Sequence, residues 1–307
     1  MARATGYVRH ALGARTLAFM FCALTLIMAC GEGEETTSNA QPDAGPGDPP
    51  NGEGAPSPAT LDIEGCVVPV LATSCSEGLS VPHQVELLNA KTGEPLPGFK
   101  TTSASGGKYA FKGVPGDVEI AVHAIGVGPV SEGVSTYDSI SLYVPNTGDN
   151  LLRVSTVGTA GLAAASADFK PADERTPVSG TVYQIDASGK RVGQIGCAKI
   201  FLDGEPHPAT SADQRYNASN GIPTTLRRLD KTLANSGRFY FGNVAKGAHT
   251  LKVSLDDGKS FIAERSLFIG KSRAEADSPF KAVLYLVGID VKGANPTPAT
   301  CPSEEAP

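Results

Sequence analysis

The sequence predicts an all-β protein in which two tandem antiparallel β-sandwiches follow a disordered tether. Three observations support this fold class. A segment recurs later in the chain, strand-length stretches alternate apolar and polar residues, and long helical periodicity is scarce. Gly and Pro together make up 58 of the 307 residues, and the chain has no Trp. Short strands separated by turn signals favour a sandwich over an α/β domain.

The repeat is clearest in two segments. Residues 102–114 read TSASGGKYAFKGV, and residues 232–244 read TLANSGRFYFGNV. Upstream, IEGCVV at 63–68 resembles VSGTVY at 178–183. A period of about 120 residues is typical of domain duplication rather than of a solenoid.

Both copies have the two-residue period of half-buried strands. Tyr109 and Phe111 alternate with polar or small residues, and residues 238–241 repeat the pattern. The next strand places Ile120 and Val122 on the core side, so we expect Glu119, Ala121 and His123 on its opposite face. The resulting division of the chain is a signal peptide (1–29), a lipidated Cys with a disordered linker (30–59), β-sandwich 1 (60–173), β-sandwich 2 (174–292) and a Pro-rich tail (293–307).

The first thirty residues predict export and a lipid anchor. Residues 16–29, TLAFMFCALTLIMA, follow three arginines and are too short to span a bilayer, which indicates a secretory signal. Ile27-Met28-Ala29-Cys30 resembles the bacterial lipobox, which implies cleavage before Cys30 and acylation of its thiol. The alternative is an ordinary signal in which Cys30 is incidental. By the same resemblance, Gly31 after the cysteine implies the outer membrane, on its periplasmic or surface face.

Residues 31–58 are rich in Gly, Pro and acidic residues and have almost nothing apolar. Such a segment cannot offset its ordering entropy by burial, so we expect a flexible tether that reaches roughly 30 Å. Beyond the signal, 23 basic residues stand against 32 acidic ones, a net charge of −9. No basic cluster remains that would indicate nucleic acid as a partner.

Four cysteines follow Cys30, and an even number in an exported protein predicts disulfides. Three pairings are possible. Cys66 and Cys75 are close enough for a local bridge, and by elimination Cys197 would then hold Cys301. None of the spacings is a zinc signature.

Residues 92–122, TGEPLPGFKTTSASGGKYAFKGVPGDVEIAV, resemble the carboxypeptidase regulatory-like (transthyretin-like) β-sandwich, and SGRFYFGNVAKGAHTLKV at 236–253 carries the pattern in copy two. The resemblance implies Ig-like modules that are non-catalytic attachments in exported and envelope proteins. CnaB-like relatives form Lys–Asn isopeptide bonds. Lys199 could stand on the first strand of copy two, but residues 281–290 hold no Asn.

The sequence offers little that carries chemistry. His83 and His207 stand beside prolines at turns or strand edges, and His249 is expected to be a packed rim histidine. Asp256 and Asp257 precede a glycine, which favours a hairpin turn over a calcium loop. With no recognisable catalytic motif, we expect no enzyme, no cofactor and no metal.

Residues 204–230 replace a compact hairpin in copy two and form the candidate binding loop, because long loops on rigid sandwiches are common binding sites. The alternative is a tolerated insertion. The expected function is a lipid-anchored binding or scaffolding module for an envelope protein or polysaccharide. The alternatives are a hydrolase, or its accessory subunit, and a carbohydrate-binding module. The loop residues with binding chemistry are Arg215, Tyr216, Asn217, Asn220, Arg227 and Arg228.

Overall fold

The structure is a computed structural model. It describes residues 60–69, 72, 74–127, 138–143, 151–156, 172–206, 214–217, 223, 229–234, 236–277, 282–293 and 301. All of these belong to one compact unit, Gly54–Pro307. The predicted signal, Cys30 and the tether lie outside the described residues. In the described part, no helix is long and apolar enough to cross a membrane.

The described residues form strands and three short 3-10 helices, which confirms the all-β fold class. The strands of copy one are β1 (Thr60–Pro69), β2 (Gln84–Asn89), β3 (Pro95–Thr102), β4 (Lys108–Pro115), β5 (Ile120–Ala124), β6 (Asp138–Tyr143) and β7 (Leu151–Thr156). The strands of copy two are β8 (Arg175–Ile185), β9 (Arg191–Gln194), β10 (Lys199–Leu202), β11 (Glu205–Pro206), β12 (Gln214–Tyr216), β13 (Arg238–Ala245), β14 (Gly247–Ser254), β15 (Ala263–Ile269) and β16 (Val283–Lys292). The 3-10 helices are Cys75–Glu77, Ser105–Gly107 and Arg273–Glu275.

The two copies share one pattern of strand pairing. In copy one, β1 pairs antiparallel with β4 and parallel with β7, while β5 lies between β2 and β6. In copy two, β8 pairs antiparallel with β13 and parallel with β16, while β14 lies between β10 and β15. The sequence repeat is therefore a repeat of topology. The antiparallel expectation holds for the hairpins, whereas the first and last strands of each copy run parallel.

One long sheet crosses from copy one into copy two. β6 and β16 pair in parallel, with Asp138 opposite Val283 and Ser141 opposite Leu286. This pairing joins β3-β2-β5-β6 to β16-β8-β13-β12, with β9 on β8, in a nine-stranded sheet. The sheet runs across the predicted boundary at residue 174, and the division into two domains stays a prediction.

Two hydrophobic cores lie on opposite faces of this sheet. Leu87 and Val122 belong to the core under β1 and β4, whereas the adjacent Leu88 and Ala121 belong to the core of copy two. All five residues of β5 are buried. Ala121 and His123 thus lie on the face opposite Ile120 and Val122, as expected, but this face is buried too, because copy two covers it.

The aromatic strands β4 and β13 differ in which of their side chains are buried. In β4, Tyr109 and Phe111 are buried while Lys108 and Ala110 are exposed, as the two-residue period predicts. In β13, Tyr240 is buried as well, because it packs with Leu284 on the outer face of the sheet.

Both disulfides are present. Cys66 is bonded to Cys75, with their Cα atoms 5.7 Å apart, and Cys197 is bonded to Cys301, with a Cα separation of 5.0 Å. The second bridge ties the predicted tail to the start of β10, and a closure over 104 residues restricts the unfolded chain more than one over nine.

We expect Gly180→Ala to destabilise the fold by about 1–3 kcal/mol, which is typical of overpacking. Gly180 lies opposite Phe239, and a Cβ at position 180 would collide with that ring. Urea denaturation measures the change in the free energy of unfolding. Gly193→Ala is the control, since no atom of the described residues lies within 4 Å of its added Cβ. Equal effects of the two substitutions would contradict this packing.

Candidate functional site

A cluster of ionisable side chains lies where the two copies meet. Glu86 of β2, His123 of β5 and Asp138 of β6 come from copy one, on neighbouring strands of the long sheet. Lys271 and Asp277 come from the segment between β15 and β16 in copy two. Glu86 and His123 are direct cross-strand partners, so the register of β2 and β5 brings them together.

His123 is at the centre of the cluster and has no exposed surface. Its Nδ1 lies 2.8 Å from Oε1 of Glu86. Its Nε2 lies 3.7 Å from Oδ2 of Asp138, beyond hydrogen-bond distance, and has no hydrogen-bond partner among the residues that the structure describes. Burial lowers the pKa of His123, but the carboxylates of Asp138 and Glu86 outweigh that effect and raise it.

Asp138 is fixed by backbone groups from both copies. Its Oδ1 accepts the N–H of Gly126 at 2.8 Å, and its Oδ2 accepts the N–H of Asp277 at 2.6 Å. The side chain is fully buried. Because one carboxylate joins the loop after β5 to the segment before β16, it links copy one directly to copy two.

Two lysines complete the cluster at its outer side. The ammonium of Lys271 pairs with the carboxylate of Asp277, and Nζ of Lys100 lies 3.9 Å from Oε2 of Glu86. The pKa of Glu86 is lowered mainly by its hydrogen bond with His123. Burial acts to raise the pKa of Asp277, but its pairing with Lys271 prevails and lowers it. With His123 protonated, the cluster's carboxylates and cations balance.

The same side chains have the composition of a metal site. One nitrogen of His123, one oxygen of Glu86 and one oxygen of Asp277 lie within 4.8 Å of one another. The sequence does not reveal this group, because its members are far apart in the chain and no ligand spacing connects them. The only signal in the sequence was His123 itself, on the face of its strand opposite Ile120 and Val122.

A second contact between the copies involves a half-buried arginine. Nη2 of Arg265 lies 2.8 Å from Oε1 of Glu119, and Nε of Arg265 is buried, with no described residue as its hydrogen-bond partner. Burial lowers the pKa of Arg265. Beside this pair, the backbone of Gly93 in copy one approaches Gly270 and the ring of Phe268 so closely that a Cβ at position 93 would touch both.

His83 and His249 are held by contacts within the fold. His83 lies directly before β2 and is fully buried, and its Nδ1 is 2.8 Å from the carbonyl oxygen of Val81. Burial lowers its pKa. His249 is a packed rim residue, as expected, with Nδ1 2.7 Å from Asp203 Oδ2 and Nε2 2.8 Å from the Ala245 carbonyl oxygen. His207 lies outside the described residues.

The Asp256–Gly258 segment forms the expected turn between β14 and β15. The carboxylate of Asp256 accepts bonds from the backbone and hydroxyl of Ser260 and from the hydroxyl of Ser254. These bonds lower the pKa of Asp256 to about 2, and the bond from the Ser260 hydroxyl has the largest effect. Asp257 is paired with Lys231 at 3.0 Å and lies 4.0 Å from Lys199, the residue considered for an isopeptide bond. The carboxylate oxygens of Asp256 are thus already engaged by protein donors.

The candidate binding loop is in part a core element. Tyr216 is buried, and its hydroxyl accepts the N–H of Ile200 at 3.0 Å. Asn217 is buried beside it. These two side chains are therefore core residues rather than an exposed binding surface, which corrects the sequence interpretation of them. The backbone of Arg215 pairs with Tyr240. The remaining candidates, Asn220, Arg227 and Arg228, lie outside the described residues.

No family model matches the chain, and no curated protein matches it. Among solved structures, the chain is similar to the minor pilin GBS52 of Streptococcus agalactiae, with 13% identity over 79% of this chain and 100% of the pilin and a TM-score of 0.24. It is similar to two B repeat units of the collagen-binding protein Cna of Staphylococcus aureus, with 12% identity over 76% of this chain and 49% of that one and a TM-score of 0.21. A putative cell adhesion protein from Bacteroides eggerthii shows 10% identity over 82% of this chain and 95% of its own, with a TM-score of 0.24. At such scores the likeness supports no argument, and the fold rests on the strand pairings.

We expect Glu119→Gln to lower the free energy of unfolding by about 1–3 kcal/mol, because it leaves a largely desolvated guanidinium without its carboxylate. The matched control is Glu264→Gln. Glu264 pairs with Lys252 at 3.4 Å, but its side chain is 59% exposed, so its loss should cost less than about 1 kcal/mol. Urea denaturation of both variants measures the difference. If the two substitutions cost the same, the Arg265 contact does not stabilise the junction.

Proposed function

We propose that this chain is a lipid-anchored protein of the cell envelope whose two repeats act together as a non-catalytic binding or scaffolding module. The observation that carries the proposal is the nine-stranded sheet that both repeats share. A sheet that continues from one repeat into the next holds their surfaces in a fixed relation, which a scaffold requires and a hydrolytic site does not.

The side-chain chemistry supports a non-catalytic role. The ring nitrogens of His249 contact a carboxylate and a backbone carbonyl, and His123 is hydrogen-bonded to Glu86. Neither contact activates a nucleophile, since a general base must reach the proton that it removes. The four cysteines of the predicted folded region and tail are in disulfides, so none of them is a free thiol nucleophile.

The N-terminal sequence supports the location. The lipobox-like Ile27–Cys30 precedes nearly thirty residues of Gly, Pro and acidic composition. An acylated cysteine at the start of such a segment would hold the repeats at the membrane and let them reach partners roughly 30 Å away. The partner would be another envelope protein or an envelope polysaccharide.

We expect Cys30→Ser to release the protein from the membrane fraction when it is expressed in a bacterium with two membranes. The parent chain should incorporate radiolabelled palmitate and partition into detergent, because an acylated cysteine anchors it. Cys22→Ser is the matched control, since Cys22 lies within the apolar run of the predicted signal and should not affect labelling. Labelling that survives Cys30→Ser would contradict the anchor.

Binding is tested by co-pelleting with purified peptidoglycan and with outer-membrane polysaccharide. Because Tyr216 is a core residue, deletion of the whole 204–230 segment would unfold the module, and point substitutions are required. We expect saturable pelleting that Arg227→Ala with Arg228→Ala weakens about tenfold or more, as loss of interface arginines does. Lys190→Ala with Lys292→Ala controls for net charge. No pelleting by the parent chain would leave an envelope protein as the partner, whereas turnover of the polymer would overturn the non-catalytic role.

A further inference from the structure

We propose that Glu86, His123 and Asp277 bind a divalent cation of the zinc class at the junction of the two repeats. This site lies apart from the candidate loop and goes beyond the proposed scaffolding function. A cation held there would bridge β2 and β5 of copy one to the segment before β16 of copy two.

The ligand groups converge from three separate elements. Oε1 of Glu86 and Nδ1 of His123 are already 2.8 Å apart. One ring nitrogen of His123, one carboxylate oxygen of Glu86 and one of Asp277 all lie within 4.8 Å of one another. Side-chain movements of about an ångström would bring all three to zinc–ligand distances of roughly 2.0–2.2 Å. One imidazole with two carboxylates is a donor set that suits Zn²⁺ and leaves a coordination position open.

Asp138 has the position of a supporting carboxylate behind the histidine. Its Oδ2 lies 3.7 Å from Nε2 of His123, the ring nitrogen without a hydrogen-bond partner in the described part of the chain. Metal-binding histidines donate their second ring N–H to such a group, which fixes the tautomer and ring orientation. Because Asp138 is itself held by the N–H groups of Gly126 and Asp277, it is pre-positioned for that bond. This arrangement leaves Nδ1 as the ligand atom.

Charge explains how the cation would enter. The carboxylates of Glu86, Asp138 and Asp277 lie around the ring of His123, with the ammonium groups of Lys100 and Lys271 at the outer side of the cluster. A dication bound among these carboxylates would take the place of the Lys271 ammonium at Asp277. Lys271 is 25% exposed and Asp277 is 44% exposed, so both side chains can move at the surface. The entry path is therefore the side that Asp277 forms.

The test is isothermal titration of the purified full-length chain with ZnCl₂. Cys22 and Cys30 are replaced by Ser in all samples, because free thiols bind zinc. We expect one saturable site that Asp277→Asn weakens by about tenfold or more, given that loss of even a supporting partner costs roughly 10–100-fold. We expect Lys271→Met to tighten binding, because it removes the competing ammonium. Zinc should also raise Tm in the parent chain more than in Asp277→Asn.

Asp203→Asn is the matched control. Asp203 also pairs with a histidine, at 2.7 Å from His249, and its side chain is 49% exposed, close to the 44% of Asp277. Zinc affinity should not change in this variant. Absence of a saturable site in the parent, or equal affinity in Asp277→Asn and the parent, would overturn the proposal. Weaker binding in Lys271→Met would also overturn it, since the ammonium would then support the site instead of competing for it.

Discussion

The parallel pairing of β6 with β16 is the contact on which the rest of the structure depends. It is short, with residues 138–141 opposite residues 283–286. Yet it pairs the backbone N–H and C=O groups at the edges of β6 and β16, which would otherwise be open to pairing with other chains. By joining the sheets of the two copies, it also places β5 in the interior, with one core on each face.

Covering both faces of β5 has an electrostatic consequence. The face toward copy two carries Glu86, His123 and Asp138 on three adjacent strands, and burial of such groups is costly unless they are paired. The structure meets this requirement with backbone N–H donors and with lysines from both copies. The junction is thereby specified by groups that match in only one register, whereas apolar surfaces alone would tolerate sliding.

The sequence predicted what depends on local pattern. The duplicated segments, the core positions of Tyr109 and Phe111 and the turn at Asp256 follow from period and glycine placement. It did not predict the burial of His83, His123 or Tyr216, since a histidine beside an alanine looks solvent-facing until the covering surface is known. For His123 the covering surface comes from copy two, more than a hundred positions away, and no local periodicity encodes it.

The segment that replaces the hairpin in copy two shows how a fold can absorb an insertion. Its residues 214–216 form β12, an edge strand beside β13, at a place where the described part of copy one ends its sheet with β4. Tyr216 then fills the core and its hydroxyl accepts the N–H of Ile200. The insertion therefore has a structural role, because it pairs with the edge of β13 and adds Tyr216 to the core of copy two. Two of the three candidate arginines of this segment, Arg227 and Arg228, lie between Asn217 and Leu229.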